Sequence, residues 1–156
     1  MKYIVECFND ECFLKAYKVD TFDINHQYEQ GKGDVFNILS VQKNRVGIVD
    51  FDSSIDDAYF ENFQHHDKVC DDINVYFETS NNNYLIVFNP KIEKIIVRIT
   101  KETDSVETAK KLGFNNTEGN YHKIQSNREK LNKFVNLLQT LIQRSSELQT
   151  LKKYLN

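Results

Sequence analysis

Arg45-Val-Gly-Ile-Val-Asp-Phe-Asp52 decides how this chain is read. Val46, Ile48 and Val49 are β-branched, and β-branched residues favour strands. The apolar run has no polar interruption, which predicts a strand buried on both faces, as in the middle of a parallel sheet. It then ends in two carboxylates one residue apart, Asp50 and Asp52. Residues i and i+2 of a strand share a direction, so both acids reach one point while Phe51 turns away. Like charges that close are costly unless a cation or a shared proton sits between them.

Working back toward the N-terminus, a strand–helix rhythm leads up to this stretch. Residues 2–8 form a short apolar run with Glu6 near its end. Residues 9–18 carry Cys12, Phe13, Ala16 and Tyr17 at helical spacing, with Asn9 placed to cap. Residues 22–28 alternate apolar and polar, which predicts a second strand. Residues 30–34 form a glycine-bearing turn, and 35–43 a second helix. Strand, helix, strand, helix, strand within 52 residues predicts a parallel sheet with crossover helices.

Working forward, residues 53–67 read as a polar loop or short helix. Residues 74–79 and 84–88 read as two strands, joined as a hairpin through 80–83 or paired elsewhere. Residues 90–101 read as a helix with Pro90 at its first position, or as a strand on account of its β-branched residues. Residues 103–113 form a helix closed by Gly113, and 114–122 a polar loop. Ser126-Asn-Arg-Glu129 has the form of a capping box and opens a long helix through Leu131, Phe134, Leu138 and Ile142. A last amphipathic helix covers 145–155. No repeat or low-complexity linker divides the chain. The expectation is a single α/β domain over 1–156: a three-layer Rossmann-like core over about 1–102, its sheet mainly parallel, and a helical extension over about 103–156.

Composition narrows the function classes. No apolar run reaches the length of a membrane span, and the N-terminus turns acidic too soon for a signal peptide. Cys7, Cys12 and Cys70 lack zinc-knuckle spacing and are read as reduced thiols in a cytoplasmic protein. His65 and His66 lie in what reads as an acidic loop, without a zinc-binding spacing. The net charge of −3 hides a division. Residues 1–78 hold 7 Lys/Arg against 16 Asp/Glu, and residues 79–156 hold 13 against 7. An acidic front suits a cation site and a basic back suits an anionic partner.

Ligands of parallel α/β sheets bind beyond the carboxyl ends of the strands. Glu6 ends the first strand and Asp50 and Asp52 end the third, so neighbouring strands would bring three acids into one crevice. Oxygen-only donor sets select hard cations such as Mg²⁺ or Mn²⁺. The segments "IVECFNDECFLKAY" (4–17), "GKGDVFNIL" (31–39) and "VGIVDFD" (46–52), in that order, resemble the Toprim domain of topoisomerases, bacterial primases and OLD-family nucleases. That resemblance covers residues 2–52. It implies a Toprim fold in which Glu6 is the general acid–base and Asp50 and Asp52 hold Mg²⁺, with phosphodiester bonds of DNA or RNA as the substrate. Where the family often has glycine after the glutamate, this chain has Cys7. The segment "YLIVFNPKIEKIIVRI" (84–99) is similar to a strand-to-helix passage of small OLD-type members that carries a glutamate, here Glu93.

Further candidates surround these acids. Asp10 is either a fourth acid of the site or a first-turn acid facing the helix dipole. His26, near the carboxyl end of the second strand, either lines the crevice or is a hydrogen-bonded structural histidine. Lys32 follows Gly31 in a turn too far from a P-loop pattern to bind nucleotide that way; it either touches a backbone phosphate or is solvated. Lys91, Lys94, Arg98 and Lys101 form a helical stripe that either tracks phosphates or faces water. Three functions follow. The first is a Mg²⁺-dependent nuclease, as a defence or toxin component. The second is a non-catalytic Toprim-fold subunit working with a partner such as an ATPase, and a homodimer is compatible with either. The third, ranked last, is a phosphate-accepting receiver, which requires the doubled acid on the first strand rather than the third.

Overall fold

The computed structural model describes residues 2–26, 31–51, 58–126 and 128–155. The strands are β1 (Tyr3–Val5), β2 (Ile24–His26), β3 (Val46–Asp50), β4 (Gln64–Cys70), β5 (Ile73–Glu78) and β6 (Asn83–Phe88). The helices are α1 (Phe8–Ala16), α2 (Lys32–Val41), α3 (Ile92–Glu102), α4 (Val106–Lys111), α5 (Glu118–His122), α6 (Arg128–Arg144) and α7 (Ser146–Thr150). The strands form one six-stranded sheet in the order β2-β1-β3-β6-β5-β4. β1 pairs in parallel with β2 and β3, and β3 with β6; β6, β5 and β4 form an antiparallel meander. This is a mixed α/β fold with helices against the sheet. Among the described residues no helix is long and apolar enough to cross a membrane.

Alternation along the central strands divides the core between two faces. Ile4, Val49, Leu85 and Val87 pack with Val35, Phe36 and Leu39 of α2. Tyr3, Val5, Val46, Ile48, Ile86 and Phe88 pack on the other face with α1, α3 and the C-terminal helices. β3 is buried on both faces up to Asp50, as its unbroken apolar run predicts. In α3, Ile92, Ile95, Ile96 and Ile99 are buried while Lys94 and Lys101 are exposed. That i, i+3, i+4, i+7 spacing overrides the strand preference of its isoleucines. Tyr3 in β1 donates its hydroxyl to the Leu155 carbonyl at 3.0 Å, and Tyr17 donates to that of Leu148 at 2.6 Å. The C-terminal segment is thus fastened to the first strand and first helix.

Several expectations are corrected. Cys7, not Asn9, caps α1, and Lys91 caps α3, so Pro90 lies ahead of the helix. Within 53–67, expected as a polar loop or short helix, Ala58–Asn62 is a short 3-10 helix, and at Gln64 the stretch gives way to β4, whose first half is exposed and therefore lacks any alternation. His65 and His66 lie on that strand and turn to opposite sides: His65 meets Asn74 and Tyr76, His66 meets Phe77, Tyr84 and Tyr154. The loop expected over 114–122 contains α5, capped by the Thr117 hydroxyl. β5 and β6 do form the hairpin. Gly113, at φ +90°, follows the end of α4 as expected. Asp52, the continuation of the second strand over 27–28, and the capping side chain at 126 lie outside the residues or side chains described.

Gly47 lets α2 sit directly on β3. A Cβ there would stand 2.8 Å from Leu39 Cδ1, 3.0 Å from Leu85 Cδ1 and 3.1 Å from Val35 Cγ1. Gly47→Val is therefore expected to destabilise by roughly 1–3 kcal/mol despite valine's strand preference. Circular dichroism melting checks this, and an unchanged or raised midpoint would show that α2 can move away at no cost.

Candidate acidic site at the carboxyl edge of the sheet

β1, β3 and β6 run in the same direction, so their carboxyl ends open on one edge. α1 follows β1 at once, and α3 begins four residues after β6. This edge therefore carries the N-termini of α1 and α3, and α2 enters it through Gly31. Helix N-termini present unpaired N–H groups and partial positive charge, and they attract carboxylates.

Glu6 and Asp50 meet here. Glu6 Oε2 accepts from the Asp50 N–H at 3.4 Å. Asp50 Oδ1 accepts from the Ile92 N–H, the first of α3, at 3.0 Å. Gly31 has φ +69°, and a Cβ on it would lie 3.8 Å from Glu6 Oε1, so the turn into α2 runs beside that carboxylate. Lys32 brings its ammonium to 3.4 Å from the Asp50 carbonyl.

Two further acids join them. Asp10 is fully buried; its Oδ2 accepts from the Cys7 N–H at 3.1 Å, while its Oδ1 is buried with no hydrogen-bond partner. Asp10 is thus a first-turn acid of α1 with one oxygen on the Cys7 N–H and the other left without a partner. Glu93, in the first turn of α3, is buried and accepts from the Asn9 amide at 2.7 Å. His122 Nδ1 lies 3.3 Å from the same Glu93 oxygen. Asn9 and His122 were missed as site residues. Asn9 reads as a cap from sequence, and nothing near His122 marks it as a neighbour of residue 93.

The electrostatics match this crowding. Burial, then repulsion from Asp10 and Glu93, pushes the Asp50 carboxyl up to about 9, partly offset by the Ile92 N–H. Burial pushes Asp10 up to about 8; hydrogen bonds from Cys7 oppose the shift, and Glu6 and Glu93 add to it. Asp10 and Asp50 each feel the charge of neighbouring acids, so neither loses its proton independently of its surroundings. Burial, with Asp10 and Asp50 beside it, also pushes the Cys7 thiol up, so it stays protonated and is no nucleophile.

No protein-family model, no curated protein and no solved structure matches the chain. The site's chemistry is therefore argued from its own atoms. Among the described residues, no three His, Cys, Asp or Glu side chains converge closely enough to hold a metal ion. Asp52, the third expected ligand, is outside those residues. What this edge does gather is carboxylate oxygen, the donor type that hard cations take, with Asp10 Oδ1 left without a partner.

The remaining candidates separate. His26 ends β2 in register with Val5, next to Glu6 in the chain. Lys91 pairs with Glu118 at 3.1 Å, joining the start of α3 to α5. Lys94 is exposed. Arg98 is tied to Asp72 at 2.7 Å, Glu102 at 2.7 Å and Glu147 at 2.8 Å. It fastens α3 to the β4–β5 turn and to α7, and it lies roughly 9 Å along the helix from Ile92. Its contacts are those of a structural clamp rather than of a phosphate-binding group.

Arg98→Ala is therefore expected to cost roughly 1–3 kcal/mol of stability, read by urea denaturation. The acids give a second expectation. A carboxyl raised on folding holds its proton more tightly in the folded state, so stability falls as pH rises from about 4 toward 9. Melting in chelator at pH 5 and pH 8.5 should show a lower midpoint at the higher pH, and a smaller difference in Asp50→Asn. Equal slopes in the two proteins would refute this assignment.

Proposed function

We propose that this chain is a Toprim-type, divalent-cation-dependent phosphodiesterase acting on DNA or RNA. One observation carries the reading. The acid that ends β1 and the acid that ends β3, 44 residues apart in sequence, meet at the carboxyl edge of the sheet with Asp10 and Glu93 beside them. Glu6, Asp10, Asp50 and Glu93, with Asp52, are the residues that would hold Mg²⁺ or Mn²⁺. Bound there, the cation would polarise a phosphodiester oxygen and lower the pKa of an attacking water.

The chain's own groups supply the rest. Glu6, beside the Gly31 turn, is the general base or acid that moves a proton at the reacting oxygen. Asp50 is fixed in direction by the Ile92 N–H, and Glu93 by the Asn9 amide. Such supporting bonds tune a ligand's orientation and basicity. Lys32, whose ammonium lies 3.4 Å from the Asp50 carbonyl, is placed to approach a substrate phosphate.

Labelled single- and double-stranded DNA and RNA, incubated with Mg²⁺ or Mn²⁺, test the reading. Cleavage should be abolished by chelator and reduced at least about a hundredfold in Glu6→Gln and Asp50→Asn. Asn9→Ala should lose about tenfold to a hundredfold and bind Mn²⁺ more weakly. Added Mn²⁺ should raise the melting midpoint of the wild-type chain at pH 8, and not that of Asp50→Asn. If neither cleavage nor a Mn²⁺-dependent shift occurs, the metal reading fails. A shift without cleavage would favour the non-catalytic subunit.

A further inference from the structure

A cavity of about 380 Å³ opens at the opposite edge of the sheet from the acids, where β1, β3 and β6 begin. Its lining combines the cations Lys2, Arg45 and Lys153 with the rings of His66, Tyr84 and Tyr154. Among the described residues no carboxylate lines it, and the Asp67 carboxylate behind it accepts from Lys153 at 2.7 Å and from the Tyr154 hydroxyl at 2.8 Å. The rings form one cluster: Tyr84 and Tyr154 have centroids 5.5 Å apart, and His66 lies 5.5 Å from Tyr84 and 6.0 Å from Tyr154.

The cations differ in how their charge is met. Lys153 is paired with Asp67 at 2.7 Å. Arg45 donates Nε to Gln42 Oε1 at 2.9 Å and Nη1 to the Asn44 carbonyl at 3.4 Å, both neutral acceptors. Among the described residues its guanidinium meets no carboxylate. Those bonds fix the planar fork while leaving its charge uncompensated, an arrangement suited to binding an anion. Lys2 adds a second positive charge from the start of β1.

We propose that this cavity binds the phosphate of a nucleotide, with Arg45 and Lys2 on the phosphate and the His66, Tyr84 and Tyr154 cluster against the base. Its volume lies within the range of small-ligand pockets, and aromatic rings accept a planar base whatever its identity. Free mononucleotides and the 5′-terminal nucleotide of a strand present the same phosphomonoester. The site lies roughly 13 Å along β3 from Asp50, so it is separate from the acidic edge and does not depend on cleavage there.

Calorimetric titration of the whole chain with AMP, GMP, CMP and UMP tests the proposal, each measured beside its nucleoside and beside inorganic phosphate. At least one nucleotide should bind about tenfold more tightly than either fragment, and more weakly as salt rises. Arg45→Gln should weaken it by about tenfold or more, Lys2→Gln should weaken it less, and Glu6→Gln should leave it unchanged. Amide spectra of the unmodified chain should shift at Arg45, His66 and Tyr84, which guards against a variant that fails to fold. Displacement by a 5′-phosphorylated tetranucleotide but not by its 5′-hydroxyl form places a strand end in the cavity; displacement by neither assigns it to the free nucleotide. Binding of none of the four nucleotides, unchanged binding in Arg45→Gln, loss in Glu6→Gln, or equal displacement by both strands overturns the proposal.

Discussion

Burial, with acids close by, raises the proton affinity of Asp10 and Asp50, and this constraint organises the molecule. Glu6, Asp10, Asp50 and Glu93 come from three separate segments, and the fold brings them to one edge. Part of the repulsion is met by backbone dipoles. Asp50 takes the first N–H of α3 and Asp10 takes the N–H that caps α1. What the helices leave unmet, the unpartnered Asp10 oxygen above all, must be supplied by a proton, a solvent molecule or a cation. A packed apolar edge would be more stable. Retaining the acids at such a cost is the usual mark of a working site.

The sheet makes this geometry possible through features with no chemistry of their own. Gly47 removes the one side chain that would hold α2 away from β3, and with α2 in place its entry turn at Gly31 lies against Glu6. The hairpin that returns β6 beside β3 sets Phe88 opposite Asp50, and α3 then starts where its first N–H reaches that carboxylate. The buried isoleucine face of α3 fixes its rotation, which turns Glu93 inward toward Asn9. Packing on both faces of the sheet thus sets distances at its edge.

Much of this was legible in the chain because each signal was local. The β-branched run of β3, its closing acids and the strand–helix rhythm before it depend on neighbours within a few residues. The misses needed knowledge of distant partners. β4 is an edge strand with an exposed first half, so it carries no alternation, and only its pairing with β5 makes it a strand. Asn9 has the right residue type and place for a cap, yet the neighbouring Cys7 caps and leaves the amide to Glu93, 84 residues away. Arg98 belongs to a regular basic stripe, and its three carboxylate partners come from the β4–β5 turn, its own helix and α7.

The charge division between the halves of the sequence shows the same lesson at larger scale. Several basic residues of the C-terminal half are met by acids of that same half, Lys91 by Glu118, Lys110 by Glu107 and Lys133 by Glu129, while Lys153 reaches across to Asp67. They do not add up to a positive face simply because they outnumber acids in that part of the chain. Arg45, from the acidic half and five residues before Asp50, holds its guanidinium on neutral acceptors, with no carboxylate partner among the described residues. A parallel strand has two ends with different neighbours, and β3 carries its cation at one and its carboxylate at the other. Charge in this fold is therefore sorted by strand direction rather than by position in the sequence. A strand of five residues is long enough to keep two oppositely charged sites beyond a Debye length of about 8 Å at physiological salt, so each can hold its own ligand without discharging the other.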